Sequence, residues 1–173
     1  VEGVGYHAWL DTNLVALFIV GEPHRLQVAD LAKGRLDTAA HNIGRSLHRV
    51  PGTRTVGYVD KSNEALWTIR SYDPATGEHE MIAPTLPQRE DYAWTPDGAL
   101  LMADGSTLFR WSPEQERWHR IASLEGAGIS SIGRIESERK ELEARAAADA
   151  AIAPLVPFAE TIGTLQEARR RME

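Results

Sequence analysis

The sequence predicts an all-β chain with a helical tail, and three observations carry that reading. Short apolar or alternating segments recur, divided by clusters of Gly, Pro, Asp and Asn. A set of four such segments returns about every 40 residues. After residue 135 the composition turns to Glu, Lys, Arg and Ala. A four-stranded unit at that period cannot bury both its faces alone, so it stacks on its copies around an axis. The expected fold is a partial β-propeller of about three four-stranded blades with a C-terminal helical tail. Blades are expected over 1–135 (about 1–44, 45–88 and 89–135), and the tail over 136–173.

In the first unit, Ala8-Trp9-Leu10-Asp11 closes an innermost strand. The apolar run over 14–20 is far shorter than a membrane span and reads as a buried second strand. Leu26-Gln27-Val28-Ala29 alternates as a third strand, and Asp30-Leu31-Ala32-Lys33-Gly34 turns into an outer strand over 35–39. The second unit repeats this order. His48-Arg49-Val50-Pro51-Gly52 leads to a strand over 55–59, then Leu66-Trp67-Thr68-Ile69 and the turn Asp73-Pro74-Ala75-Thr76-Gly77 lead to an outer strand over 78–83. In the third unit, Ala93-Trp94-Thr95-Pro96-Asp97-Gly98 precedes a strand over 99–103. Thr107-Leu108-Phe109-Arg110-Trp111, the turn Ser112-Pro113-Glu114 and an outer strand over 118–122 complete it. Pro presets φ in such turns and Gly supplies positive φ. Asp104-Gly105 reads as a hairpin turn of the primed type.

Two of these motifs carry a family resemblance. Trp94-Thr95-Pro96-Asp97-Gly98 resembles the W-S-P-D-G signature of TolB-type propeller repeats, and Asp73-Pro74-Ala75-Thr76-Gly77 resembles the D-x-x-T-G turn between their outer strands. Ser131-Ile132-Gly133-Arg134-Ile135 resembles the start of a fourth blade. The first unit departs from the signature with Asp11-Thr12-Asn13, and the second keeps only Pro51-Gly52. Repeats of this kind occur in periplasmic assembly proteins, in the propeller domains of prolyl-oligopeptidase-type enzymes and in lyases. The resemblance thus implies a propeller scaffold and favours a periplasmic or secreted location. It also implies a ring of six or more blades, of which three make half.

Half a ring has two open blade faces, and large apolar faces mark interaction surfaces. Three arrangements would cover them. The chain is a piece of a longer propeller, two copies close a six-bladed ring, or the tail caps the stack. Homodimer closure is the preferred expectation, since two triplets make six. In the tail, residues 136–152 are strong helix formers with Glu136–Lys140 and Glu141–Arg145 pairs, and Pro154 and Pro157 interrupt them. A second helical stretch is expected over 158–171. The apolar residues Ile152, Leu155, Val156, Phe158, Ile162 and Leu165 call for a surface to dock on.

Composition narrows the function classes. A net charge of −6 disfavours generic nucleic-acid binding. The chain has no cysteine, which excludes disulfides and thiolate metal sites. It contains no G-x-S-x-G nucleophile elbow, no H-E-x-x-H zinc helix and no Gly-rich phosphate loop with its Lys, so no cofactor is expected. Candidate chemistry lies at the inner strand starts. His7 and His48 sit beside them in the first two blades, and Asp91 and Tyr92 hold similar places in the third. In a propeller such positions border the axial channel. Arg45, Arg49 and Arg89 lie near the same ends and suit an anionic ligand or a peptide. The leading expectation is a non-enzymatic binding or assembly scaffold that takes a peptide or small molecule at the central funnel. The alternative is a lyase or hydrolase that uses His7, His48 and Asp91 at the axis, with or without a metal. The ordinary reading of each residue is structural: histidines satisfying backbone groups, arginines on solvated loops, and five Trp packing between blades.

Overall fold

A computed structural model of the chain describes residues 2–133; the helical tail expected over 136–173 lies outside them. The described residues form three four-stranded antiparallel sheets, each ordered as the chain runs. The first blade is β1 (Val4–Trp9), β2 (Leu14–Ile19), β3 (Arg25–Asp30) and β4 (Arg35–His41). The second is β5 (Ile43–Arg49), β6 (Val56–Asp60), β7 (Thr68–Tyr72) and β8 (His79–Pro84). The third is β9 (Tyr92–Trp94), β10 (Leu100–Asp104), β11 (Thr107–Ser112) and β12 (Arg117–Ser123). Strand β5 packs against β1, β2 and β9, so the first strand of each blade lies innermost.

The second strands are apolar on both faces, and both faces are buried. Strand alternation sends Ala16 and Phe18 one way and Val15, Leu17 and Ile19 the other. Between blades one and two, Ala16, Phe18 and Leu26 pack on Ile43, Leu47, Val56 and Tyr58. Between blades two and three, Val59 and Ile69 pack on Tyr92, Leu100, Met102 and Trp111. Full burial of one such side chain contributes about 1.5–3 kcal/mol, so these two seams hold the stack together. Trp118 adds a tie, its indole N–H donating to the Pro84 carbonyl at 2.9 Å.

The turns explain the repeat. Leu10, Val50 and Thr95 each donate a backbone N–H to Leu14, Thr55 and Ala99, at 2.9, 3.0 and 2.8 Å. This common bond aligns the blades residue by residue. At the outer turns, the carboxylates of Asp30 and Asp73 accept the N–H groups of Lys33 and Ala75 at 3.0 and 2.8 Å. Gly34 and Gly77 close these turns at φ of 62° and 77°, where L residues are strained. In the third blade Glu116 takes the same backbone role at φ 48°. Gly105 has positive φ and Ser106 does not, the mark of a II′ hairpin.

One strand begins later than its sequence suggests. Leu66-Trp67 continues the alternation of Thr68-Ile69, yet β7 starts at Thr68. The Asn63 carbonyl and side chain accept the N–H groups of Leu66 and Ala65 at 3.2 and 3.0 Å, which holds Leu66 in a turn. Leu66 is left exposed.

The chain leaves every blade by the same step. Ile43, Thr85 and Leu124 donate N–H groups to His24, Trp67 and Ser106 at 3.4, 2.9 and 2.9 Å. Each acceptor directly precedes the third strand of its blade. Beyond Leu124, Ile129 and Ile132 fold over Ala93, Leu101, Ala103 and Leu108 on the far face of blade three. Ser131, Ile132 and Gly133 are in no strand, and the Ile132 N–H donates to the Gly105 carbonyl at 2.9 Å. On the opposite side, Val15, Leu17, Ile19 and Ala29 form an apolar cluster with no blade against it among the described residues. No helix among those residues is long and apolar enough to cross a membrane.

Candidate functional site: a cleft at the inner strand starts

Antiparallel order in every blade starts the innermost strand at the same end of the stack. The turn-bond alignment therefore places Tyr6, Ser46 and Asp91 in one tier, with Gly5, Arg45 and Glu90 in the next. All of these but Glu90 line a cleft of ≈ 480 Å³, whose lining includes Tyr6, His7, Arg45, Ser46, His48 and Asp91. Gly133 reaches the same cleft from beyond blade three.

The polar groups are tied across the seam between blades two and three. Arg45 Nε donates to Glu90 Oε1 at 2.7 Å, and its guanidinium reaches Asp91 Oδ2 at 3.5 Å. Ser46 Oγ donates to Asp91 Oδ1 at 3.2 Å. Lys61 Nζ donates to the other Glu90 oxygen at 3.0 Å and lies 4.2 Å from the Trp67 ring centroid. Burial works against the Arg45 charge, but Glu90 and Asp91 outweigh it and hold the guanidinium pKa above its ordinary value. Its side chain is 55% exposed and that of Asp91 28%, so a cation and a carboxylate stand side by side at the cleft wall, open to a ligand.

Four of the residues expected from sequence converge here: His7 on β1, Arg45 and His48 on β5, and Asp91 just before β9. The His7 ring is exposed; His48 is half-buried and stands edge-on to Tyr92, ring centroids 4.9 Å apart. The other three lie elsewhere. Arg49, at the far end of β5, donates to the Thr53 carbonyl. Arg89 pairs with Asp104 within blade three. Tyr92 is fully buried between blades two and three, and burial pushes its hydroxyl pKa well up. That hydroxyl fits only because residue 57 is Gly: a Cβ there would lie 2.5 Å from it. Spacing along the chain does not mark Ser46 and Glu90. The repeat alignment finds them, because they share tiers with Tyr6 and Arg45. Among the described residues, no three His, Asp or Glu side chains are grouped to hold a metal ion.

No protein family's sequence profile matches the chain, and no curated protein matches it. Solved structures do. The chain is similar to the β-propeller domain of the Trilobed protease from Pyrococcus furiosus, which has an open velcro topology. The TM-score is 0.53 at 16% identity, over 71% of this chain and 44% of that one. It is also similar to TolB from Acinetobacter baumannii, with a TM-score of 0.51 at 15% identity, over 68% of this chain and 31% of that one. The fold is that of a TolB-like β-propeller. The chain spans less than half the length of either protein, and at these identities the likeness is one of fold.

Proposed function

We propose that this propeller is a non-enzymatic binding scaffold and that its ligand, a peptide or small molecule, enters the cleft at the inner strand starts. The supporting observation is the convergence of His7, Arg45, Ser46, His48 and Asp91, from three separate blades, on one space. Arg45 beside Asp91 offers a donor fork and an acceptor together, which suits a peptide carrying both signs of charge. A second copy of the chain completes the ring and supplies the opposite wall. The resemblance to periplasmic propellers favours a periplasmic or secreted location.

A synthetic peptide array probed with the full chain and with Asp91→Asn tests the site. Peptides held by the first and released by the second, with about tenfold weaker binding, are the expected result. Equal retention by both proteins would count against the cleft. The same convergence of His7, His48 and Asp91 is what a lyase or hydrolase would use. Mass spectrometry of the eluted peptides separates the two readings, since new termini or eliminated products mean turnover.

A further inference from the structure

The middle of blade one's outer face is buried within a single chain. Val15, Leu17 and Ile19 of β2 are 7%, 9% and 3% exposed. Among the described residues, Ala29 is the one further apolar side chain packed on them. Strand β5 of the next blade lies on the other side of β2, against Ala16 and Phe18. The cover over Val15, Leu17 and Ile19 is also narrow. Trp9 and His7 of β1, directly opposite Val15 and Leu17, are exposed, Trp9 at 52%. Gln27 and Arg25 of β3 are half-buried, and Leu36 and Thr38 of β4 are exposed again. The covered band spans two strands, or about 10 Å, which is the diameter of one helix. A blade would cover more: at the two seams within the chain the equivalents of His7 are Leu47 and Tyr92, and both are buried.

The rest of the chain starts in the right place to supply that cover. Gly133, the last described residue, lines the cleft together with Gly5, Tyr6 and His7, so the chain leaves it beside β1 of blade one. Strand β2 is the next strand across. In the sequence that follows, Phe158, Ile162 and Leu165 stand at i, i+4 and i+7, the spacing of one helical stripe. Such a stripe is about 10 Å long, and the row from Val15 to Ile19 is about 13 Å long.

We infer that residues 158–165 of the same chain lie as a helix along β2 of blade one, with Phe158, Ile162 and Leu165 seated on Val15, Leu17 and Ile19. Two apolar rows of matching length then remove each other from water. The segment caps this end of the stack and stops short of β1, so His7 stays open to the cleft. The cap does not depend on the two-copy ring proposed above; where that ring closes, the second copy meets blade one across this segment.

The chain has no cysteine, which makes disulfide trapping a direct test. The full chain carrying Leu17→Cys and Ile162→Cys, the middle residues of the two rows, is oxidised at low concentration. Leu66→Cys with Ile162→Cys is the control pair, since Leu66 is exposed and lies in another blade. The expected result is a bond in the first pair and none in the second, read as a reducible shift in electrophoretic mobility at the mass of one chain. In a folded variant, no bond in the first pair, or a bond formed only between chains, would overturn the cap. Equal bonding in both pairs would overturn it too. Because Leu17→Cys alters a buried position, Phe158→Asp with Ile162→Asp gives a second reading that leaves the blades unchanged. This variant should keep its β-sheet circular dichroism and bind more 1-anilinonaphthalene-8-sulfonate, a dye for exposed apolar surface. Dye binding no greater than that of the wild type would overturn the cap.

Discussion

Tyr92 and Asp91 are adjacent, yet one is sealed between blades and the other faces the cleft. Strand alternation makes this unavoidable, and a shift of one residue exchanges the two fates. Asp91 shares its tier with Tyr6 and Ser46 at the cleft, whereas Tyr92 shares its tier with His7 and Leu47 and could be placed only once the strand's first residue was known. Arg89 precedes the strand, and its reach to Asp104 has no trace in the spacing. Two predictions belong at this scale. Gly57→Ala should cost about 1–3 kcal/mol, because the new methyl meets the Tyr92 hydroxyl inside a filled seam; urea denaturation measures it. The second concerns His79, whose Nδ1 lies 2.9 Å from the Tyr58 hydroxyl. Burial first, then Asp60, push Tyr58 up to about 12, so its hydroxyl stays protonated beside the ring. Burial and then the Arg70 charge lower the His79 pKa below 6.5, with Asp60 opposing. The unfolded chain therefore binds that proton more readily than the folded one. Stability should be full above pH 6.5 and should fall as pH drops from there through the lowered folded value. Urea midpoints between about pH 5 and 8 should show the slope, and His79→Gln should flatten it.

At the level of strands and turns, most of the architecture was written in local chemistry. Asp at the head of an outer turn and Gly at its end are enough to mark it, since the carboxylate takes a backbone N–H and the Gly takes the left-handed φ. Strand starts were less legible. Nothing in the alternation of Leu66-Trp67-Thr68-Ile69 announces that Asn63 will draw Leu66 back into a turn. Blade three shows the rule by departing from it. Glu116 holds a left-handed conformation where the other blades use Gly34 and Gly77, a geometry that costs an L residue about 1–2 kcal/mol. Glu116→Gly should recover part of that, raising stability by up to about 1 kcal/mol, less the entropy that Gly adds to the unfolded chain. A thermal melt showing lower stability would mean that the Glu116 side chain does more than fill the turn.

Over the whole molecule, repeat period and blade count were legible because each blade obeys the same local rules. The meeting of three inner strands at one cleft was legible too, since blades in register bring equivalent residues together. The cross-seam ties were not. Arg45 to Glu90 and Trp118 to Pro84 join residues far apart in the chain, and their partners are set by how neighbouring blades lean on each other. The uneven ends of the stack were equally hidden: three apolar residues of segment 124–133 lie over one end, while Trp9 stands bare at the other.

The exit step bears on how such an array changes over generations. Because Ile43, Thr85 and Leu124 leave their blades through the same backbone bond, the instruction for adding a blade is carried by main-chain atoms rather than by any one side chain. A duplicated segment spliced in at that point would find its anchor ready whatever its sequence had become. Drift within blades and gain or loss of whole blades are then separate kinds of change. A lineage that adds a blade keeps this anchor and has only the seam's side chains to fit, and it can rewrite a blade's solvent-facing surface without losing count.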